Sequence, residues 1–193
     1  MDDAGKVRVR DGYEVQTGAR LTWHITSSLD GYIAPADNDL RWSAPYVGPN
    51  PLAHEIVADI GAILMGHTQY ANAIREEGRV YGGMWRGPMI VLTHADPASA
   101  EEGFEFVNGL ELAARRARDG AGTKRVIVMG ASTAHQCIRA GFLDEILVHT
   151  VPVLLGGGLR MFDGWDGEPV RLTRMKADIT PTAVNSWYRV DPA

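Results

Sequence analysis

Short apolar runs alternate along this chain with stretches of helical period, the pattern that an α/β fold writes into a sequence. The runs LTWHIT (21–26), AILMG (62–66), PMIVLTH (88–94), FEFVNG (104–109) and KRVIVMG (124–130) predict strands. NPLAHEIVADIG (50–61) predicts a helix: Asn50 is placed to cap it, Pro51 suits its first position, Leu52, Ile56 and Ile60 share a face, and Gly61 ends it. HTQYANAI (67–74) reads as a short helix. LELAARRARDG (110–120) reads as a longer one, entered through a capping box of Asn108 and Glu111. In ASTAHQCIRAG (131–141) Thr133 and Gln136 have the same capping spacing, and Gly141 is a natural stop. LDEILVHTVPVLLGGG (143–158) is long and apolar, with Pro152 marking a bend or an edge. Its length predicts burial against a twofold mate, hence a homodimer. EPVRLTRMKADI (168–179) and TAVNSWYRV (182–190) predict an antiparallel pair closing the sheet. Residues 1–19 read as a flexible tail and 20–193 as one domain.

One segment breaks the alternation. SSLDGYIAPADNDLRWS (27–43) leaves the first strand through an Asp-Gly corner and stays polar for a dozen residues, a length that is uncommon in a loop unless it covers a ligand. Composition narrows the classes of function. With 45% hydrophobic and 22% charged residues the chain has a globular balance, and no apolar run nears the roughly 18 residues of a membrane span. The acidic start lacks the apolar core of a signal peptide, so a cytoplasmic protein is expected. Its net charge of -5 argues against a nucleic-acid partner, the one basic cluster, ARRARDG, reading as a solvated helix face. Cys137 stands alone, which excludes an internal disulfide and a multi-cysteine zinc site, and no metal is expected.

Candidate chemistry gathers at strand ends. LMG-HT, VLTH and VMG-AST each close a strand with small or hydroxylated residues that open a helix or a turn. In open α/β sheets ligands bind beyond the carboxyl ends of strands, where free N–H groups and helix dipoles favour anions. A nucleotide phosphate is therefore the expected occupant. The G-x-G-x-x-G fingerprint and the Walker lysine motif are both absent, so any dinucleotide must bind through another architecture.

The stretches SSLDGYIA, ILMGHTQY, GPMIVLTH and VIVMGASTAHQCIRAGFLDEILVHTVPVLLGGGLRMFD occur in the order and spacing of a known family. Over residues 21 to 163 the chain resembles the dihydrofolate reductase-like family typified by the C-terminal reductase domain of the riboflavin-biosynthesis deaminase-reductase, and most of all its stand-alone members. The resemblance implies a three-layer α/β fold with a mostly parallel central sheet and antiparallel C-terminal strands. It also implies an NADPH-dependent reductase of a small heterocyclic or carbonyl substrate, pterin- or pyrimidine-like, similar to dihydrofolate reductase or 5-amino-6-(5-phosphoribosylamino)uracil reductase.

Carried over position by position, Gly66, His67 and Thr68 match the segment along the adenosine side and pyrophosphate of NADPH. Thr93 and His94 match the strand end beside the adenosine phosphate, and Gly130, Ala131, Ser132 and Thr133 match the pyrophosphate cradle. Asp30 and Gly31 match the corner facing nicotinamide and substrate, with Trp42 available to cover it. Asp30 is the first candidate for supplying the proton or for orienting a substrate hydroxyl, and an Asp-Gly turn residue is an equal reading. Trp42 reads equally as a packing residue, Glu55 and His54 as surface positions, and His149 as a satisfied core histidine. His24 stands where riboflavin reductase domains have a lysine, and no zinc-deaminase signature is present. The rival to a reductase is a non-catalytic nucleotide-binding homodimer that keeps the fold.

Overall fold

The computed structural model describes residues 8–10, 13–15, 18–75, 80–83, 85–94 and 102–192. Two short strands, β1 (Arg8–Arg10) and β2 (Tyr13–Val15), pair antiparallel within the segment expected as a tail, whose other positions up to 17 lie outside the described residues. The domain proper begins with β3 (Leu21–Ser28) and β4 (Tyr32–Ala34), followed by a 3₁₀ segment, Leu40–Tyr46, and α1 (Pro51–Ala58). Next come β5 (Ile60–Gly66), α2 (His67–Arg75), β6 (Met89–Thr93), β7 (Phe104–Asn108), α3 (Leu110–Ala121), β8 (Arg125–Met129) and α4 (Ala131–Arg139). The chain closes with β9 (Glu145–Val151), β10 (Leu159–Arg160), β11 (Leu172–Ile179) and β12 (Val184–Val190).

An 8-stranded sheet runs β11-β12-β9-β3-β8-β5-β6-β7. From β9 to β7 all neighbours are parallel, and β12 and β11 join antiparallel at the far edge. Alternation along the strands divides the core in two. Leu21, Trp23, Leu64, Ile90 and Val128 face α3 and α4, which meet them with Ala113, Ala114, Ala117, Ala134 and Cys137. Small residues along α3 let that helix lie close to the sheet. Ile63, Met65, Val91, Ile127, Leu147 and Trp187 face the other way, against Leu52 and Ile56 of α1. The result is the three-layer α/β arrangement expected. No described helix is long and apolar enough to cross a membrane.

Several local expectations are corrected by packing. Asn50 does cap α1, its Oδ1 accepting from Ala53 N–H at 3.1 Å, but the helix ends at Ala58. Gly61 lies inside β5 instead, where a Cβ would meet the Ala121 carbonyl oxygen at 2.5 Å, so it serves close approach of α3. Neither capping box forms. The N-caps of α3 and α4 are Gly109 and Gly130, at φ of 95° and 91°, and neither offers a side-chain acceptor. The Asn108 and Thr133 positions therefore fall one residue before and three residues after the cap. Gly141 follows α4 at φ 68°, as expected of a stop. Finally, β9 is an interior strand, bonded to β3 on one side and β12 on the other, so its apolar length is explained without a mate.

Candidate active site

The polar segment after β3 folds back on the glycine-rich segment after β9. Leu29 N–H donates to the Val153 carbonyl at 2.9 Å, Met161 N–H donates to the Gly31 carbonyl at 2.9 Å, and β4 pairs with β10. Asp30 locks this arrangement. Its carboxylate accepts from Ser28 Oγ at 2.6 Å, Leu155 N–H at 3.1 Å and Gly156 N–H at 2.8 Å. The Ser28 hydroxyl above all, then the two backbone donors, hold the carboxyl at about 2, so it stays ionised at neutral pH. Gly158 completes the contact: at φ 118° a Cβ would sit 2.1 Å from the Ala34 carbonyl oxygen. The Arg160 guanidinium lies 4.5 Å from the centre of the Tyr32 ring.

Under this double loop opens a cavity of about 230 Å³. Its floor is His24 and Thr26 of β3 with Met129 of β8 and the α4 cap Gly130, and its cover includes Ile33, Asn38, Leu40, Trp42 and Ser43. Trp42 is held there by its indole N–H, which donates to the Ile33 carbonyl at 3.2 Å. Gln69 of α2 closes one side.

Beside the cavity, β8, β5 and β6 end next to one another on the same edge, as their parallel registers require. α2 starts directly from β5 and α4 from β8. The two helix starts are in contact: a Cβ on Gly66 would lie 2.8 Å from Thr133 Oγ1, and one on Gly130 would lie 3.0 Å from Gln69 Cγ. α4 has no side-chain cap and no acid in its first turn, which leaves its amide donors and dipole uncompensated. His67, Thr68 and Ser132 are exposed at these helix starts, and Ala131 and Thr133 are buried behind them. Thr93 is buried at the end of β6 in register with Asn108, and His94 follows it on the surface.

Of the sequence-predicted residues, Trp42 and Gly130 line the cavity. Gly66, Thr133 and the exposed ends of α2 and α4 form the adjoining edge, while Asp30 and Gly31 tie the two loops together at the corner. Sequence reasoning missed a polar chain under the floor. Tyr81 Oη and His24 Nδ1 are 2.7 Å apart, His24 Nε2 and His149 Nε2 are 2.7 Å apart, and His149 Nδ1 lies 2.6 Å from Asn185 Oδ1. Asn50 Nδ2 donates to the same Asn185 oxygen at 2.8 Å. One assignment of protons satisfies every step: Tyr81 O–H donates to His24, His24 Nε2–H to His149, and His149 Nδ1–H to Asn185. Burial first, and His149 second, push the His24 pKa down to about 3, so both rings are uncharged at neutral pH. The signal available in sequence was the alternation of Thr22, His24 and Thr26 along an otherwise apolar strand. Among the described residues no group of three or more His, Cys, Asp or Glu is placed to hold a metal ion.

The fold has counterparts among known proteins. The chain is 23% identical over 141 residues to the uncharacterized protein YwjB of Bacillus subtilis, a match covering 72% of this chain and 80% of that one. A putative riboflavin biosynthesis protein from Shewanella sp. PV-4 superposes with a TM-score of 0.74 at 19% identity, over 90% of this chain and 99% of the other. Dihydrofolate reductase from Enterococcus faecalis, solved in complex with NADP(H), superposes with a TM-score of 0.60 at 17% identity, over 90% and 97%. Residues 87–184, which run from just before β6 to the first residue of β12, match the RibD C-terminal domain, and the chain belongs to that family.

Proposed function

We propose that the protein is an NADPH-dependent reductase whose cofactor lies along the ends of β6, β5 and β8 and whose small heterocyclic or carbonyl substrate enters the cavity under Trp42. The observation that carries this reading is the pair of touching helix starts beside the cavity, one of them uncapped and free of acid. The residues fit the group. Glycines at 66 and 130 admit backbone close to a pyrophosphate, and Ser132, Thr68 and the first-turn amides of α4 supply donors to its oxygens. His67 and His94 stand exposed on the adenosine side, where a 2′-phosphate separates NADPH from NADH.

When bound, the nicotinamide supplies a hydride, and the protein's own task is to orient two rings, exclude water and admit one proton. Trp42, Ile33 and Leu40 keep water out. Asp30, ionised and fully engaged, acts by holding the loops that form the cover, which makes it a positioning residue. Among the described residues His24 is the one ionisable side chain lining the cavity, and with its ring uncharged and both nitrogens engaged by Tyr81 and His149 it shapes the floor, so the proton reaches the substrate from solvent and not from this ring. A homodimer is retained as part of this reading. Fluorescence titration with NADPH tests it: micromolar binding is expected, weakened at least tenfold in Ser132→Asp, where a carboxylate suits the helix start and repels the phosphate. No NADPH binding to the folded protein overturns the reading, and binding without oxidation by any carbonyl acceptor favours the non-catalytic alternative.

A further inference from the structure

The segment that carries β10 has little stiffness of its own. Gly156, Gly157 and Gly158 follow one another, the first and last at φ of 70° and 118°, so the backbone there depends on what grips its two ends. At one end the grip is Asp30, through the Leu155 and Gly156 amides. At the other it comes from α4. His135 Nε2 lies 2.9 Å from the Met161 carbonyl, and since a carbonyl only accepts, that nitrogen carries the proton and donates it. Met161 in turn donates its own N–H to the Gly31 carbonyl at 2.9 Å, beside the pairing of Tyr32 with Arg160. Buried Met161 is therefore bonded to α4 on one side and to the corner of the cover on the other.

His135 is costly where it stands. It is 5% exposed among Ala131, Ala134 and Cys137, at a place where an imidazole must give up its water and an apolar side chain would not. Its ring is fixed by its neighbours, lying within 10° of parallel to Phe162 and perpendicular to Trp23, each at 5.8 Å or less. Arg139, one turn further on, donates to Asp166 at 2.8 Å, an exposed pair that contributes little. The buried bond to Met161 is the stronger tie. It sits five residues along α4 from Gly130, about 7.5 Å of helix from the cap that lines the cavity. A ligand bound to the first turn of α4 suppresses openings of that helix, and with them the openings that release Met161.

We propose that His135 is a positioning residue for the cover: through it α4 holds the Asp30–Gly31 corner, and NADPH seated at the start of α4 tightens the same tie. The cofactor's part in this rests on the reductase reading, and the holding of the corner rests on the hydrogen bonds alone.

Amide hydrogen exchange at Met161, followed by NMR, tests both parts. His135→Phe keeps a ring in the stack and removes the donor, whereas His135→Gln places an amide N–H at similar reach. Met161 should exchange about tenfold faster in His135→Phe, the contribution of one buried hydrogen bond, and near the wild-type rate in His135→Gln, with Ile127 and Val128 of β8 unchanged in both. Saturating NADPH should slow Met161 several-fold in the wild type and in His135→Gln but not in His135→Phe, while all three bind NADPH within about twofold of one another. If His135→Phe does not fold, His135→Leu removes the same donor and is read in the same way. A wild-type Met161 rate without the donor, or no rescue by glutamine, reduces His135 to packing and overturns the proposal. NADPH that binds the wild type without slowing Met161 overturns the tie to the cofactor. Absence of NADPH binding fails the reductase reading alone, and the cofactor-free comparison still decides the positioning role.

Discussion

His24 and His149 bind their folding to pH. In the folded chain His24 titrates near 3, pushed down first by burial and then by its histidine neighbour, against about 6.5 when unfolded. Between those values the unfolded state holds more protons, so stability is complete above pH 6.5 and falls as pH drops toward 3. His149 is shifted in the same direction by its own burial and adds to the effect. Loss on the order of 1–2 kcal/mol by pH 5 is expected from urea denaturation, and His24→Gln should flatten that slope. The carboxylates held low, Asp30 and Asp39, keep their full contribution above pH 4 and lose it only below, outside this window. Asp30 gives a different prediction. Asp30→Asn replaces an acceptor oxygen by a donor facing the Leu155 and Gly156 amides, so hydrogen exchange at both should accelerate. NADPH oxidation should fall while NADPH affinity stays close to wild type. An unchanged rate would leave Asp30 as a turn residue and nothing more.

At the scale of elements, the strands and helices were legible because their signal is local: apolar runs of strand length, helical period, and Asn50-Pro51 opening α1. Caps and glycines were misread for a physical reason. A glycine at positive φ turns the chain from β7 into α3 and from β8 into α4, and that turn takes the capping position from Asn108 and Thr133. Gly61 answers to a helix 60 residues further on, which no local pattern reveals. Gly61→Ala tests the packing directly. Its methyl would press on the Ala121 carbonyl oxygen and Cα at 2.5 and 2.7 Å, backbone atoms that cannot swing aside. A destabilisation of about 1–3 kcal/mol, the range of overpacked cores, should appear as a lower urea midpoint with an unchanged slope.

On the scale of the whole molecule, the site exists because distant segments meet, and that is where sequence reading was thinnest. The polar loop after β3 was legible as a cover by its length, and SLDG and LLGGG stood out as motifs. Their mutual hydrogen bonds, and the diagonal meeting of His24 with His149 across β3 and β9, follow only from the order of strands in the sheet. The same order moves the expected twofold contact. Since β9 is interior, the twofold contact moves to a sheet edge, and of the two edge strands, β11 and β7, it is β11 that exposes Leu172, Met175 and Ile179, beside Val170. Val170 and Leu172 also line an apolar groove with Ile138, Phe162 and Trp165. An uncovered edge strand with that composition invites pairing, and Arg174, Lys176 and Asp178 on it set which alignment is tolerated. We expect a homodimer through this edge, with twice the monomer mass by light scattering at micromolar concentration. Val170→Glu with Leu172→Glu should return it to a monomer of unchanged circular dichroism, because both side chains are already partly exposed and support no core. A wild-type monomer at that concentration would rule the dimer out; a dimer that survives the double substitution would move the contact to another face.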